Sequence, residues 1–298
     1  MRVLLTGATG FIGSYLVPEL VNAGHHVVGL SRSDAGAETL TRAGAEVCRG
    51  DMNDLDRLRT AAAAADGVIH AAFNHDFSNL KRHSEHDRQV IKTLGEALAR
   101  SDRPLVISSG TGLARSRTGG PAVETDDHVT SAEFPRAASE EAADALIAEG
   151  GRVLVLRLAQ VHDARQQGRI TQHIQLARRK GRVAYVGEGG NRVPAVHVSD
   201  AVRLYRLVLE RGQAGARYNA VGEEGVALRD IAEVIGAGLK VPVQSITPEE
   251  TSEYFGWLAR LATIDLAASS ALTRQQLGWD PTGPDLLTDL GNTDYSMA

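Results

Sequence analysis

Three glycines spaced by three, Gly7, Gly10 and Gly13, stand between a short apolar run (residues 3–6) and an amphipathic pattern (residues 11–23). A strand that turns sharply into a helix leaves the helix's first N–H groups and positive dipole end open, which is a seat for phosphate. In such a turn the first glycine permits the tight reversal. The second lets the backbone approach a pyrophosphate, and the third lets the helix pack closely on the strand. A glycine triplet alone is weak evidence, but this one sits in the required strand–turn–helix context. It predicts a dinucleotide site built from Gly7, Thr9, Gly10, Phe11, Ile12 and Gly13.

The rest of the first half repeats that alternation. Residues 3–6, 26–30, 46–49, 67–70, 105–108 and 153–158 are short and apolar on successive positions, as expected of strands covered on both faces. Helical patterns at 11–23, 35–43, 55–64, 85–100 and 135–149 separate them. Asp54 is placed to cap the third, and Pro135 suits the first turn of the last. Such alternation predicts an α/β fold: a doubly wound parallel sheet of Rossmann type, with right-handed crossovers. Near residue 160 the pattern breaks, and the first sheet reads as complete. A polar loop (163–168), helices at 170–180, 199–211, 228–239 and 248–261, and a Pro/Gly-rich end follow. Ser199 reads as the cap of the second of these helices. This half reads as a smaller C-terminal cap over the strand ends, where a substrate would sit. The expected division is a dinucleotide-binding domain over residues 1–161 and a mainly substrate-binding cap over 162–298. Part of 195–220 is expected to return to the first domain.

Composition narrows the partners. The net charge of −5, with both signs interspersed, offers no basic face for nucleic acid. No apolar run approaches the roughly 18 residues of a membrane helix, and none follows Met1 as in a signal peptide. The lone cysteine, Cys48, cannot form an internal disulfide. These features predict a cytoplasmic protein that takes a small-molecule substrate and binds neither nucleic acid nor membrane.

Further segments carry a family resemblance. Gly7-Ala8-Thr9-Gly10-Phe11-Ile12-Gly13 is followed by Gly50-Asp51-Met52 and His70-Ala71-Ala72. Val196-His197-Val198-Ser199-Asp200-Ala201 and Leu277-Gly278-Trp279-Asp280-Pro281 come later. In this order the chain resembles the short-chain dehydrogenase/reductase superfamily, in its extended and atypical, epimerase/dehydratase-like branch. The resemblance implies that fold. It places Asp51 and Met52 at the adenine end of the cofactor, and Ala71, Ala72 and Ser108 along the rest of it. A homodimer is one assembly it allows.

The end of the second strand bears on which cofactor is bound. An NAD site wants a carboxylate there for the ribose 2′-hydroxyl. Ser31, Arg32 and Ser33 occupy the first positions, and an arginine suits a 2′-phosphate. Asp34 is the rival, unless it caps the next helix. The reading favours NADP(H), with NAD(H) as the alternative.

Members of this family place Tyr-x-x-x-Lys on the helix after the fifth strand, and the tyrosine exchanges a proton with the substrate oxygen. No tyrosine of this chain has a lysine four residues on. The matching stretch is Arg136-Ala137-Ala138-Ser139-Glu140, with Arg136 in the tyrosine's place and Glu140 in the lysine's. Arginine stays charged and is a poor proton donor, but it can hold a carboxylate, phosphate or carbonyl oxygen. Glu140 can accept from ribose hydroxyls. The alternative is an ordinary i,i+4 surface pair. The family's catalytic hydroxyl best matches Gly110, which leaves Ser109 or Thr111 to serve. His75, after the fourth strand, has a pKa suited to proton exchange, and so has His162 after the sixth. Both are otherwise solvated loop residues, and His197 reads as structural. No histidine pair has metal-ligand spacing. The first reading is an atypical NADP(H)-dependent oxidoreductase acting on a small polar substrate. Two others stay open: an NADP(H)-binding sensor without catalysis, and an epimerase or dehydratase that uses its cofactor transiently.

Overall fold

The computed structural model describes residues 1–74 and 76–296. Six strands, β1 (Arg2–Thr6), β2 (His26–Ser31), β3 (Glu46–Arg49), β4 (Gly67–His70), β5 (Leu105–Gly110) and β6 (Val153–Leu158), alternate with five helices. These are α1 (Phe11–Asn22), α2 (Asp34–Arg42), α3 (Leu55–Ala63), α4 (Leu80–Leu98) and α5 (Ala138–Ala148). A 3-10 turn, Pro135–Ala137, leads into α5, so the expected helix from 135 is split. Asp54 caps α3 as expected, accepting from the Arg57 N–H, and at α2 Ser33 accepts from the Gly36 N–H. Ser33, not Asp34, is therefore the cap of α2.

The second half contains β7 (Gln160–His162), α6 (Ile170–Lys180), β8 (Val183–Val186), β9 (Arg192–His197), α7 (Val198–Arg211), β10 (Arg217–Ala220) and β11 (Glu223–Ala227). It continues through α8 (Leu228–Leu239), β12 (Val243–Ile246), α9 (Thr251–Phe255), α10 (Ala271–Leu277) and α11 (Leu286–Gly291). The central sheet has seven parallel strands in the order β10-β6-β5-β4-β1-β2-β3. The sheet is thus not complete at residue 160: β10 adds an edge strand beside β6, paired from Arg217↔Val155 to Ala220↔Leu158. Its run Arg-Tyr-Asn-Ala has too little apolar content to read as a strand from sequence. Two small sheets, β11-β9-β7 and β12-β8, lie apart from the central one.

Helices cover both faces of the central sheet. Leu16, Val17 and Leu20 of α1 pack with Leu204, Tyr205 and Val208 of α7 on one face. Leu58 of α3, Ile91 and Leu94 of α4 and Leu146 of α5 cover the other. The expected cap of α7 moves by two residues: the His197 ring, not Ser199, accepts from the Ser199 N–H. The expected helix at 248–261 shortens to α9 and a 3-10 turn, because Gly256 takes φ +55. Trp279 is buried and its indole donates to the Asp200 carbonyl at 3.1 Å, which ties the C-terminal segment to α7. Among the described residues no helix is long and apolar enough to cross a membrane.

The glycine turn is the tightest contact of the fold. Gly7 has φ +72, and a Cβ there would stand 2.8 Å from the Ala71 carbonyl carbon. At Gly13 a Cβ would lie 2.1 Å from the Gly7 carbonyl oxygen and 2.7 Å from Ala8 Cα. Both clashes are with backbone, which cannot rotate away. Gly13→Ala should therefore destabilise the protein by about 1–3 kcal/mol through overpacking. Urea denaturation measures this; a midpoint equal to the wild type's would show that the helix can lift off the loop without cost.

Candidate functional site

The sheet order reverses at β1, whose neighbours are β2 on one side and β4 on the other. Ligands of open α/β sheets bind at such a point, beyond the carboxyl ends of the strands. The glycine turn lies here, with Ala71 and Ala72 packed against Gly7. Helix α1 starts at Gly10 with no side-chain cap and no acidic residue in its first turn. A Cβ at Gly10 would meet only the Gly7 oxygen, at 3.3 Å, so this side of the turn is open. Phe11 and Ile12 open the helix, and the Phe11 ring meets Tyr15 edge-on. These features fit a dinucleotide pyrophosphate.

The end of β2 adjoins the same turn. A Cβ at Gly36 would lie 2.5 Å from Ser31 Oγ and 3.1 Å from both Ser33 Oγ and Thr9 Cγ2. Arg32 is exposed and makes no ion pair or hydrogen bond among the described residues. Asp34 does: Arg49 reaches its carboxylate at 2.7 Å and the Ser33 carbonyl at 2.6 Å. Asp51 is exposed and accepts from the Asn53 N–H, while Met52 packs on the apolar core.

At the other end of the cleft a polar chain links β1, β4, β5, α4 and the turn before α5. Thr6 Oγ1 and His70 Nδ1 are 2.7 Å apart, and His70 Nε2 lies 2.9 Å from Asp87 Oδ1. Ser139 donates to Asp87 Oδ2, as does Arg136 at 3.2 Å. Arg136 also donates to the Ser108 carbonyl at 2.9 Å and to Ser139, and lies over the Phe73 ring at 4.1 Å. Burial opposes the charge on Asp87, but Arg136 and His70 outweigh it and hold the carboxyl below its usual range. Ser108 Oγ donates to the His70 carbonyl at 2.8 Å and meets the Tyr205 hydroxyl. Burial pushes that phenol up to about 12, so it stays protonated.

Several expected site residues lie elsewhere. Glu140 is not a surface partner of Arg136. It is 0% exposed, and it accepts from Arg157 Nε at 2.9 Å and Nη2 at 2.8 Å, from Arg217 Nε at 3.0 Å and from Ser109 Oγ at 2.5 Å. Its acceptor positions are filled, so it has none to offer a ribose hydroxyl. Ser109 is turned inward by the same bond. Thr111 is buried and faces the Leu158 carbonyl at 3.4 Å. His162 is not in a loop but within β7, fully buried, with Nδ1 2.7 Å from Asp289 Oδ2. Burial holds its pKa below the ordinary histidine value despite that carboxylate. His75 lies outside the described residues. Among the described residues of the expected catalytic group, Arg136 is the one whose charge is partly open, its side chain 15% exposed.

His70, Asp87 and Phe73 were not expected as site residues. Asp87 did leave a signal. It falls on the stripe Ser84, Asp87, Ile91, Leu94, Leu98, all buried, at a spacing that marks the inner face of a helix. A carboxylate on such a face needs a buried partner.

The Glu140 cluster gives a stability test. Burial opposes its charge, yet the Arg157 and Ser109 hydrogen bonds and the charges of Arg157 and Arg217 hold its pKa below the usual value. Its contribution is therefore complete above the ordinary carboxylate range and is lost as pH falls below that range through the depressed native pKa. Glu140→Gln should cost about 3–5 kcal/mol near neutral pH by leaving buried arginine uncompensated, and should flatten the acid limb of stability. Urea midpoints across pH measure both; a loss below about 1 kcal/mol would mean that the cluster is solvated.

Comparison with known proteins agrees with this architecture. Residues 3–221 match the model of the NAD dependent epimerase/dehydratase family. An uncharacterised protein of Schizosaccharomyces pombe is 42% identical over 296 residues, covering 99% of this chain and 100% of its own. A UDP-glucose 4-epimerase of Streptomyces lividans is 28% identical over 320 residues, covering 96% of this chain and 93% of its own. Among solved structures, a dTDP-glucose 4,6-dehydratase of Streptomyces venezuelae with NAD bound superposes with TM-score 0.78. It is 20% identical and covers 99% of this chain and 96% of that one, a likeness of fold. The glycine turn at the sheet's switch point, the seven-stranded parallel sheet and the match over residues 3–221 together make this chain a member of the NAD-dependent epimerase/dehydratase family.

Proposed function

We propose that the chain is an NADP(H)-dependent oxidoreductase acting on a small polar substrate in the cleft between the strand ends and the cap. The observation that carries the NADP(H) preference is the charge arrangement at the end of β2. Asp34, the carboxylate available to a ribose hydroxyl, is paired with Arg49, while Arg32 has no counter-charge among the described residues. A 2′-phosphate would meet two arginines there, one of which, Arg49, also holds the exposed Asp34 carboxylate. Gly7, Thr9, Gly10, Phe11, Ile12 and Gly13 would hold the pyrophosphate. Ser31, Arg32 and Ser33 would hold the adenosine phosphate, and Asp51 and Met52 the adenine. Ala71, Ala72 and the Ser108 backbone would lie along the remainder. The bound cofactor supplies a hydride at its nicotinamide.

Arg136 is the group we assign to the reacting end. Asp87, the Ser108 carbonyl and the Phe73 ring fix it, and it stays charged. It would hold a carbonyl or anionic oxygen of the substrate and stabilise negative charge developing there. It would not move a proton, which is left to water. The inward bonds of Ser109, Thr111 and Glu140 favour the second reading, an NADP(H)-binding sensor that does no chemistry.

Fluorescence titration should show NADPH bound more tightly than NADH. Arg32→Ala should weaken NADPH by about tenfold to a hundredfold, the equivalent of roughly 1.5–3 kcal/mol. Equal affinities for the two cofactors would sink the preference. Steady-state NADPH oxidation with a panel of small aldehydes, ketones and oxo acids tests the chemistry. Arg136→Leu should lower turnover about a hundredfold or more while NADPH affinity stays near the wild type's, which also reports that the variant is folded. No turnover by the wild type on any member of the panel, with NADPH bound, would favour the sensor.

A further inference from the structure

The cap wall of the cleft can be traced through side-chain contacts. Phe134, two residues before Arg136, lies under the Arg260 guanidinium at 5.9 Å. Just ahead of Arg260 in the chain, Phe255 ends α9 and meets the His173 ring edge-on, with centroids 5.9 Å apart. His173 lies one turn along α6 from Arg169, the residue that starts this helix. On α6, Ile170, Ile174 and Ala177 face the core shared with β9 and α8. Positions 169, 173 and 176 form the neighbouring stripe, and Leu176 packs there with Tyr254 and Phe255 of α9. The loop before α6 is tied to the glycine-turn helix: the Tyr15 hydroxyl of α1 donates to Asp163 Oδ2 at 2.6 Å. Arg169 thus precedes an α6 whose leading loop is tied to α1 through Asp163 and whose His173 meets α9, the element before the Arg260 that lies over Phe134.

Its charge is uncompensated. Arg136 has Asp87, Arg157 and Arg217 share Glu140, and Arg192 has Asp265. The Arg169 guanidinium meets no carboxylate or other acceptor among the described residues, although it is only partly exposed. Burial presses its pKa down, and no carboxylate opposes that. Burial and then the charge of Arg169 push His173 down to about 4, so near neutral pH the imidazole adds no second charge. A partly buried guanidinium with no acceptor among the described residues is a cost that an incoming oxyanion would offset, through bidentate charge-assisted bonds.

We propose that Arg169 is a specificity residue of this cleft, taking a carboxylate or phosphate-ester group of the substrate. The substrate class is then a small oxyanion-bearing compound whose reacting carbon points toward Arg136. This rests on the reading of the cleft as the substrate site.

The test uses the full chain loaded with NADPH, so that the pyrophosphate seat is filled, and follows the His173 ring signal by proton NMR, assigned by its loss in His173→Asn. Inorganic phosphate and acetate are titrated separately. At least one should move the His173 signal saturably at neutral pH, because the anion cancels the charge of Arg169 beside the ring. A response to phosphate alone points to a phosphate ester, and a response to acetate alone to a carboxylate. Arg169→Gln should raise the midpoint at least about tenfold, whereas Arg169→Lys keeps most of the response. No saturable shift with either anion, or the same response in Arg169→Gln, overturns the proposal. NADPH affinity is read in the same samples, and the anion titrations are repeated without NADPH. Loss of NADPH binding in the wild type counts against the cofactor reading, while failure of the anions alone counts against Arg169.

Discussion

A carboxylate sealed from water must be met by cations or it will not stay charged, and Glu140 is sealed completely. Arg157 from β6 and Arg217 from β10 meet it, with Ser109 from β5 completing the shell. That one group fastens three adjacent strands of the sheet to α5. It also fixes how α5 sits, because rotating the helix would strand a charge in the core. Everything at the carboxyl ends of β5 and β6 is placed relative to this anchor, including the turn that carries Arg136.

Asp87 on α4 is built on the same principle with a different outcome. Its partners are His70, Ser139 and Arg136, and only the last reaches the cleft. Both clusters end in a partly open guanidinium, Arg217 for Glu140 and Arg136 for Asp87, and Arg136 lies over the Phe73 ring at 4.1 Å. The two carboxylates separate structure from site. Residues bonded to Glu140 hold strands together, and the residue bonded to Asp87 presents a fixed positive charge. No tyrosine of this chain has a lysine four residues on, and Arg136 is held by Asp87, Ser139 and the Ser108 carbonyl.

The cofactor end is organised by the absence of a cap. Helices α2 and α3 have their first N–H groups taken by Ser33 and Asp54, whereas α1 begins at a bare glycine. At the end of β2 Arg49 pairs with the exposed Asp34, and Arg32 has no counter-charge among the described residues. The same economy recurs in the cap, where Arg169 and the neutral His173 share one helix stripe without an acidic partner.

The amino-acid sequence by itself determined the glycine turn, the six leading strands, the cap at Asp54 and the absence of the tyrosine–lysine pair. Each of these is local, read from residues a few positions apart, and short-range geometry decides them. It did not disclose β10, whose Arg-Tyr-Asn-Ala is a strand only because β6 offers it an edge. Nor did it disclose what Arg136 and Glu140 do. Four positions apart, they read as a pair, yet the partners they found are 49 residues away for Arg136 and 17 and 77 residues away for Glu140. Which charge meets which counter-charge is set by where distant segments are brought together and how completely water is excluded there. Only the tertiary structure decides that.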